Sequence, residues 1–248
     1  MSRTLLIVLL TCAALLGQED ETEPTLQPAV KQGMKYYVSL PHGWNTSKKW
    51  PIVVTIDGSG QNWPANAKRF AEARKDLPFI IVTPVMLRLG PPEKRQYPPA
   101  LVEEMRAHED KFIQFTTQGL FAVVRDAAKR FSGREKFFLT GFSSGGHETW
   151  MMALEHPDKM AGVALAAGNY NGRWVDKVSK SPARFDLPIK EFLGTKDSSL
   201  QHLLPQWNKA KKEAEERGFK NLEIEMVEGR PHNAFAAEVL GYFNSLLK

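Results

Sequence analysis

The chain is poor in cysteine: one in 248 residues, Cys12, and it lies inside an apolar N-terminal segment. An intrachain disulfide is therefore excluded, so the fold must be held by its core alone even in an oxidising compartment. Long apolar runs are also missing. The run from Leu5 to Leu16 is too short to cross a bilayer comfortably. No block of one charge sign occurs either. The 33 Lys and Arg face 28 Asp and Glu, a net charge of +5. The densest charged stretch, "NKAKKEAEERGFK", alternates in sign at helical spacing and reads as a solvated face, so no nucleic-acid partner is expected.

Ligand fingerprints are absent as well. "GSGQNW" places Trp63 where a dinucleotide loop needs its third glycine. "HETWM" places Met151 where a zinc helix needs its second histidine, and no G-x-x-x-x-G-K-[ST] occurs. No cofactor and no metal are expected. There is no internal repeat, and low complexity is confined to the acidic "QEDETEP".

What is present begins with a signal-peptide layout. Arg3, the apolar run and small residues near Gly17 predict a signal peptide over residues 1–17, a flexible tail over 18–33 and one domain over 34–248. Secretion or export to a periplasm follows. Thr11 is a poor residue before a lipidated cysteine, so anchoring through Cys12 is not expected, and neither is a membrane span in the mature chain.

Beyond residue 34, strand-like runs ("YYVSL", "PIVVTID", "FIIVTPV", "KFFLTG", "AGVALAAG", "IKEFLGT", "NLEIEMVEG") alternate with amphipathic stretches such as "TTQGLFAVVRDAAKRF" and "HETWMMALEHPDKM". That alternation predicts an α/β fold: a mostly parallel sheet with helices on both faces. The proline pairs in "MLRLGPPEKRQYPPA" predict irregular structure there. In such sheets, sites form where strands end, so the loops after the apolar runs carry the chemistry.

"FFLTGFSSGGHETW" fits G-x-S-x-G centred on Ser143, with Gly141 and Gly145 flanking it. A nucleophile on a tight strand-to-helix turn needs small residues two before and two after it; centring on Ser144 would put Phe142 in one of those positions. A serine also needs a base, and the base an orienting acid. Asp197, after "IKEFLGT", and His232, in "EGRPHNAF", stand where the order Ser, acid, His requires them. Asp176 and Asp186 precede their strand, His202 falls within a helix, and His156 reads as a helix-end residue. His147, one turn past Ser143, is either a pocket residue or structural. Backbone N–H groups of Ser59, in "DGSG", and of Ser144 are the candidate oxyanion donors.

On these residues the chain resembles the α/β-hydrolase superfamily, and within it the secreted esterases grouped with polyhydroxybutyrate depolymerases, feruloyl esterases and dienelactone-hydrolase-like proteins. The carriers are "YYVSLPHGWNTSKKWPIVVTIDGSGQN", "KFFLTGFSSGGHETWMMALEHPDKMAGVALAAG", "PIKEFLGTKDSS" and "GRPHNAF". The resemblance implies Ser143 as nucleophile, Asp197 as acid and His232 as base. It implies a small-molecule or polysaccharide-linked ester, acetyl or feruloyl, as substrate. Two departures stand out: Asp57-Gly58 where such esterases have His-Gly, and Arg230-Pro231 before the histidine. The short connection from Gly168 to Pro188 leaves no room for a large cap, and Tyr170 and Trp174 on it either stack on substrate or pack internally. The alternatives are a serine peptidase on the same scaffold and an inactive carbohydrate-binding module.

Overall fold

A computed structural model describes residues 22–87, 89, 97–175 and 177–247. Residues 1–17, expected to be a signal peptide and holding Cys12, lie outside the described residues, as do most of the Pro-rich loop and Asp176.

In chain order the elements are β1 (Thr25–Gln27), β2 (Tyr36–Ser39), β3 (Ile52–Ile56), α1 (Trp63–Arg74), β4 (Ile80–Pro84), α2 (Pro99–Ala107) and α3 (Glu109–Arg130). There follow β5 (Phe137–Phe142), α4 (Gly145–Glu155), β6 (Met160–Ala166), β7 (Pro188–Gly194), α5 (Leu200–Glu216), β8 (Asn221–Val227) and α6 (Ala236–Ser245). One sheet of eight strands runs β1-β2-β4-β3-β5-β6-β7-β8. The pairs β1–β2 and β2–β4 are antiparallel, and every pair from β4–β3 to β7–β8 is parallel. This is the mostly parallel α/β sheet expected from the alternation of runs.

The strands read as apolar runs because both of their faces are covered. Along β3, Ile52, Val54 and Ile56 enter one core with α3 and α4, while Val53 enters the other with α1 and α6. On β5, Phe137 and Leu139 face the first core and Phe138 the second, where its ring stacks 4.7 Å from that of Phe243. Period-two alternation in an all-apolar segment thus splits one strand between two helical layers.

Two expectations need correction. The tail over 18–33 is not wholly flexible: Thr25–Gln27 pairs with β2 in the register Thr25↔Val38, and Gln32 Nε2 donates to the Phe115 carbonyl at 2.7 Å. A strand this short, with Leu26 half exposed, carries no periodicity; backbone pairing to β2 creates it. The second proline pair also does not interrupt structure, since Pro98 precedes α2 and Pro99 opens it. Proline at a first helical position loses no intrahelical bond. The β6–β7 connection holds only a single 3₁₀ turn at Pro182–Phe185, and no large cap is found among the described residues.

Candidate active site

Ser143 follows the last residue of β5 with φ at +51°. A serine in the left-handed region is strained and persists only where its surroundings fix it. Here the fixing is explicit. The Ser143 N–H donates to the Ala166 carbonyl at 3.0 Å, and the Ser143 carbonyl accepts from the Gly146 and Asn169 N–H groups, both at 2.9 Å. The flanking glycines are steric necessities. A Cβ on Gly141 would lie 2.1 Å from Thr149 Oγ1, and one on Gly145 would lie 2.9 Å from the Asp57 and Ile56 carbonyl oxygens.

Asp197 and His232 are brought together by the ends of β7 and β8. The two segments touch closely: a Cβ on Gly194 would sit 2.1 Å from the Arg230 carbonyl oxygen, and the Lys196 N–H donates to that oxygen at 3.0 Å. Across this junction Asp197 Oδ2 accepts from His232 Nδ1 at 2.7 Å, while Asp197 Oδ1 accepts from the Ser199 N–H, also at 2.7 Å. The Asp197 side chain is fully buried, and that of His232 is 32 % exposed. With the carboxylate as acceptor, the proton sits on Nδ1 and the Nε2 lone pair stays free. The imidazole lies against Phe142, the residue before Ser143, with ring centroids 4.9 Å apart.

The loop after β3 covers Ser143. A Cβ on Gly58 would meet Ser143 Cβ at 3.2 Å, so this backbone passes directly over the serine. The Asp57 carboxylate, where a histidine was expected from the resemblance, turns into its own loop: Oδ2 accepts from the Asn62 N–H at 2.7 Å. Asn62 in turn caps α1 by accepting from the Ala65 N–H. Ser59 lies exposed on this loop, next to Gly58, and Ser144 lies at the start of α4.

The three candidate substrate residues divide. Tyr170 does not line a cleft. It is 2 % exposed, its ring packs 5.5 Å from Trp150, and its hydroxyl donates to Glu213 Oε2 at 2.6 Å. Burial, reinforced by Glu213, holds this phenol well above its usual pKa. Trp174 and His147 do stand together, with ring centroids 6.3 Å apart and both half-buried. Trp174 also packs on Phe112 at 5.1 Å and donates from Nε1 to Glu109 at 2.7 Å. Hydrogen bonds from Arg173 and Trp174 hold the Glu109 carboxyl below its usual range.

Two residues escaped the sequence reading. Phe142 was seen only as a steric obstacle, yet its ring supports His232. Glu191 lies buried in β7; Oε1 accepts from the Gly168 N–H at 2.9 Å and Oε2 has no partner. Desolvation pushes its carboxyl well above the usual range, so the neutral acid is favoured. The signal was available: a glutamate at an inward position of the apolar run "IKEFLG". Since Asn169 bonds to Ser143, the Gly168 contact makes Glu191 a support for the Ser143 turn.

The family model described as Esterase matches residues 28–245. The chain belongs to this esterase family. It is accordingly a carboxylic ester hydrolase of the α/β-hydrolase fold. No curated protein matches it in sequence. Among solved structures it is similar to an S-formylglutathione hydrolase from Agrobacterium tumefaciens (15% identity, TM-score 0.58, covering 90% of this chain and 92% of that one). It is similar to a dienelactone hydrolase from Anabaena variabilis (15%, 0.54, 90% and 95%). It is also similar to the feruloyl esterase module from Clostridium thermocellum (16%, 0.51, 91% and 87%). At these identities the likeness shows the fold. No group of three or more His, Cys, Asp or Glu that could hold a metal occurs among the described residues, and none of the described helices is long and apolar enough to cross a membrane.

Proposed function

We propose that this esterase is an exported serine hydrolase that acts through Ser143, His232 and Asp197. The observation that carries the reading is the Asp197–His232 pair, seated against the residue that precedes a serine in a strained strand-to-helix turn. Ser143 Oγ attacks the ester carbonyl carbon as its proton passes to His232 Nε2. The tetrahedral oxyanion is held by the Ser59 and Ser144 N–H groups. Collapse of the intermediate expels the alcohol, protonated by His232, and leaves an acyl-serine. His232 then takes a proton from water, which attacks the acyl carbon; collapse of this second intermediate breaks the bond to Ser143 Oγ, which regains its proton from His232 as the carboxylic acid leaves. Asp197 fixes the imidazole tautomer and stabilises its cation.

The substrate reading is a short acyl ester, acetyl or feruloyl, carried on a polysaccharide. Support comes from the short β6–β7 connection and from the half-buried Trp174 and His147 rings. Export rests on the N-terminal pattern of residues 1–17. An ester panel run on wild type and Ser143→Ala tests the mechanism: the variant loses at least about 10⁴-fold in turnover. Equal rates in the two proteins would sink it.

A further inference from the structure

A concavity of about 850 Å³ lies at the opposite end of β5 from Ser143. It opens between the second half of α3 and the segments that lead into β5 and β6. Its floor is apolar: Val124, Ala128 and Phe137 are buried there, and Phe121 is half-buried. Its rim is cationic, with Lys49, Arg125, Lys129, Arg134 and Lys159, against a single acid, Glu135. Lys159 is paired with Asp158 at 3.0 Å. The other four cations have no side-chain partner among the described residues.

The other two basic residues of the same helix are paired. Lys111 meets Glu104 at 2.7 Å, and Arg130 meets Asp126 at 3.1 Å. Arg125 and Lys129 instead stand four residues apart with the same sign, an arrangement that destabilises a helix. Unpaired cations gathered around an apolar hollow are costly to the fold alone and complementary to an anion. The volume is that of a small-molecule site. An extended polyanion would use the rim and leave the floor unfilled, whereas a compact anion with an apolar body fills both.

We propose that this concavity binds an organic anion, a carboxylate or sulfonate carried on an aromatic ring or acyl chain, independently of the Ser143 site. The anionic group lies among Arg125, Lys129, Arg134 and Lys49, and the apolar body on Phe121 and the buried floor. The test uses the full chain with Ser143 blocked by a fluorophosphonate and 8-anilinonaphthalene-1-sulfonate as probe. The expected result is saturable one-to-one binding that weakens at high salt and is the same with and without the block. Replacing Arg125 and Lys129 together by Gln weakens binding about fivefold or more while the thermal melt stays at or above the wild-type value and ester hydrolysis is unchanged. Should that variant fail to fold, Lys49→Gln with Arg134→Gln, outside α3, gives the same reading. Unchanged affinity in a folded neutralised variant overturns the proposal. So does loss of binding on blocking Ser143, which would place the probe in the catalytic cleft. Saturable binding of polygalacturonate with none of the probe would assign the patch to a linear polyanion and overturn it too.

Discussion

Asp197→Asn is the most informative single change, because it alters hydrogen-bond polarity with almost no change in shape. The carboxylate accepts two bonds, from His232 Nδ1 and from the Ser199 N–H, both at 2.7 Å. An amide offers one accepting oxygen and one donating nitrogen, so one of the two donors must lose its acceptor. If the oxygen stays on Ser199, the amide NH₂ faces Nδ1, the ring is driven to the tautomer protonated on Nε2, and no lone pair remains for the Ser143 proton. If the amide flips, two donors confront each other at a buried position, which costs about 1–3 kcal/mol. That leaves the productive arrangement populated at about one part in five to one in a hundred and fifty. Loss of the negative charge that stabilises the imidazolium comes on top, bringing the expected fall in turnover to about 10⁴-fold. KM and the melting temperature stay close to wild type, since packing is retained. The assay is steady-state hydrolysis of an activated aryl ester, with a circular dichroism melt of the same sample. A variant within tenfold of wild-type turnover would refute the orienting role.

Three further outcomes follow from the geometry. Gly146→Ala puts a Cβ 2.6 Å from the Asn169 nitrogen, so the loop that bonds to the Ser143 carbonyl must move; a loss of about 1–3 kcal/mol in denaturant unfolding and a drop in turnover are expected, and full retention of both would show that the loop is compliant. Glu191→Gln tests the buried acid by pH. Its folded-state pKa is raised above the ordinary 4.5, so its contribution is complete below that value and is lost as pH rises toward the folded pKa. The melting temperature of the Gln variant relative to wild type should therefore climb from about pH 4.5 upward, and a difference independent of pH would contradict a neutral buried carboxyl. Tyr170→Phe removes the bond to Glu213 and should lower stability by about 1 kcal/mol with the acyl-group preference unchanged; an altered ester profile would return this residue to the cleft.

How far the sequence could be read depended on whether a residue's role was local. β3, β5 and β6 were legible because strands buried on both faces are continuous apolar runs, whereas β1 exists only through pairing with β2. The meeting of Asp197 with His232 beside the Ser143 turn was legible because parallel strands all end on one edge, so a loop's place in the chain is also its place along that edge. Tyr170 was not. In "GNYNGRW" nothing tells an outward ring from an inward one; what decides it is Glu213, 43 residues later on another helix. Asp57 was legible as a departure but not as a solution, because its partner is the backbone N–H of Asn62 and any residue supplies one.

Ser143 is bonded through both its N–H and its carbonyl to the end of β6 and the loop beyond it. The proposed nucleophile is thus a rivet between two central strands. Local opening of this turn requires β5 and β6 to part, and these are among the most protected elements of such a sheet. On the proposed mechanism, catalytic competence is therefore tied to the sheet: the bonds that keep the strained serine in shape also join the end of β5 to β6 and its loop.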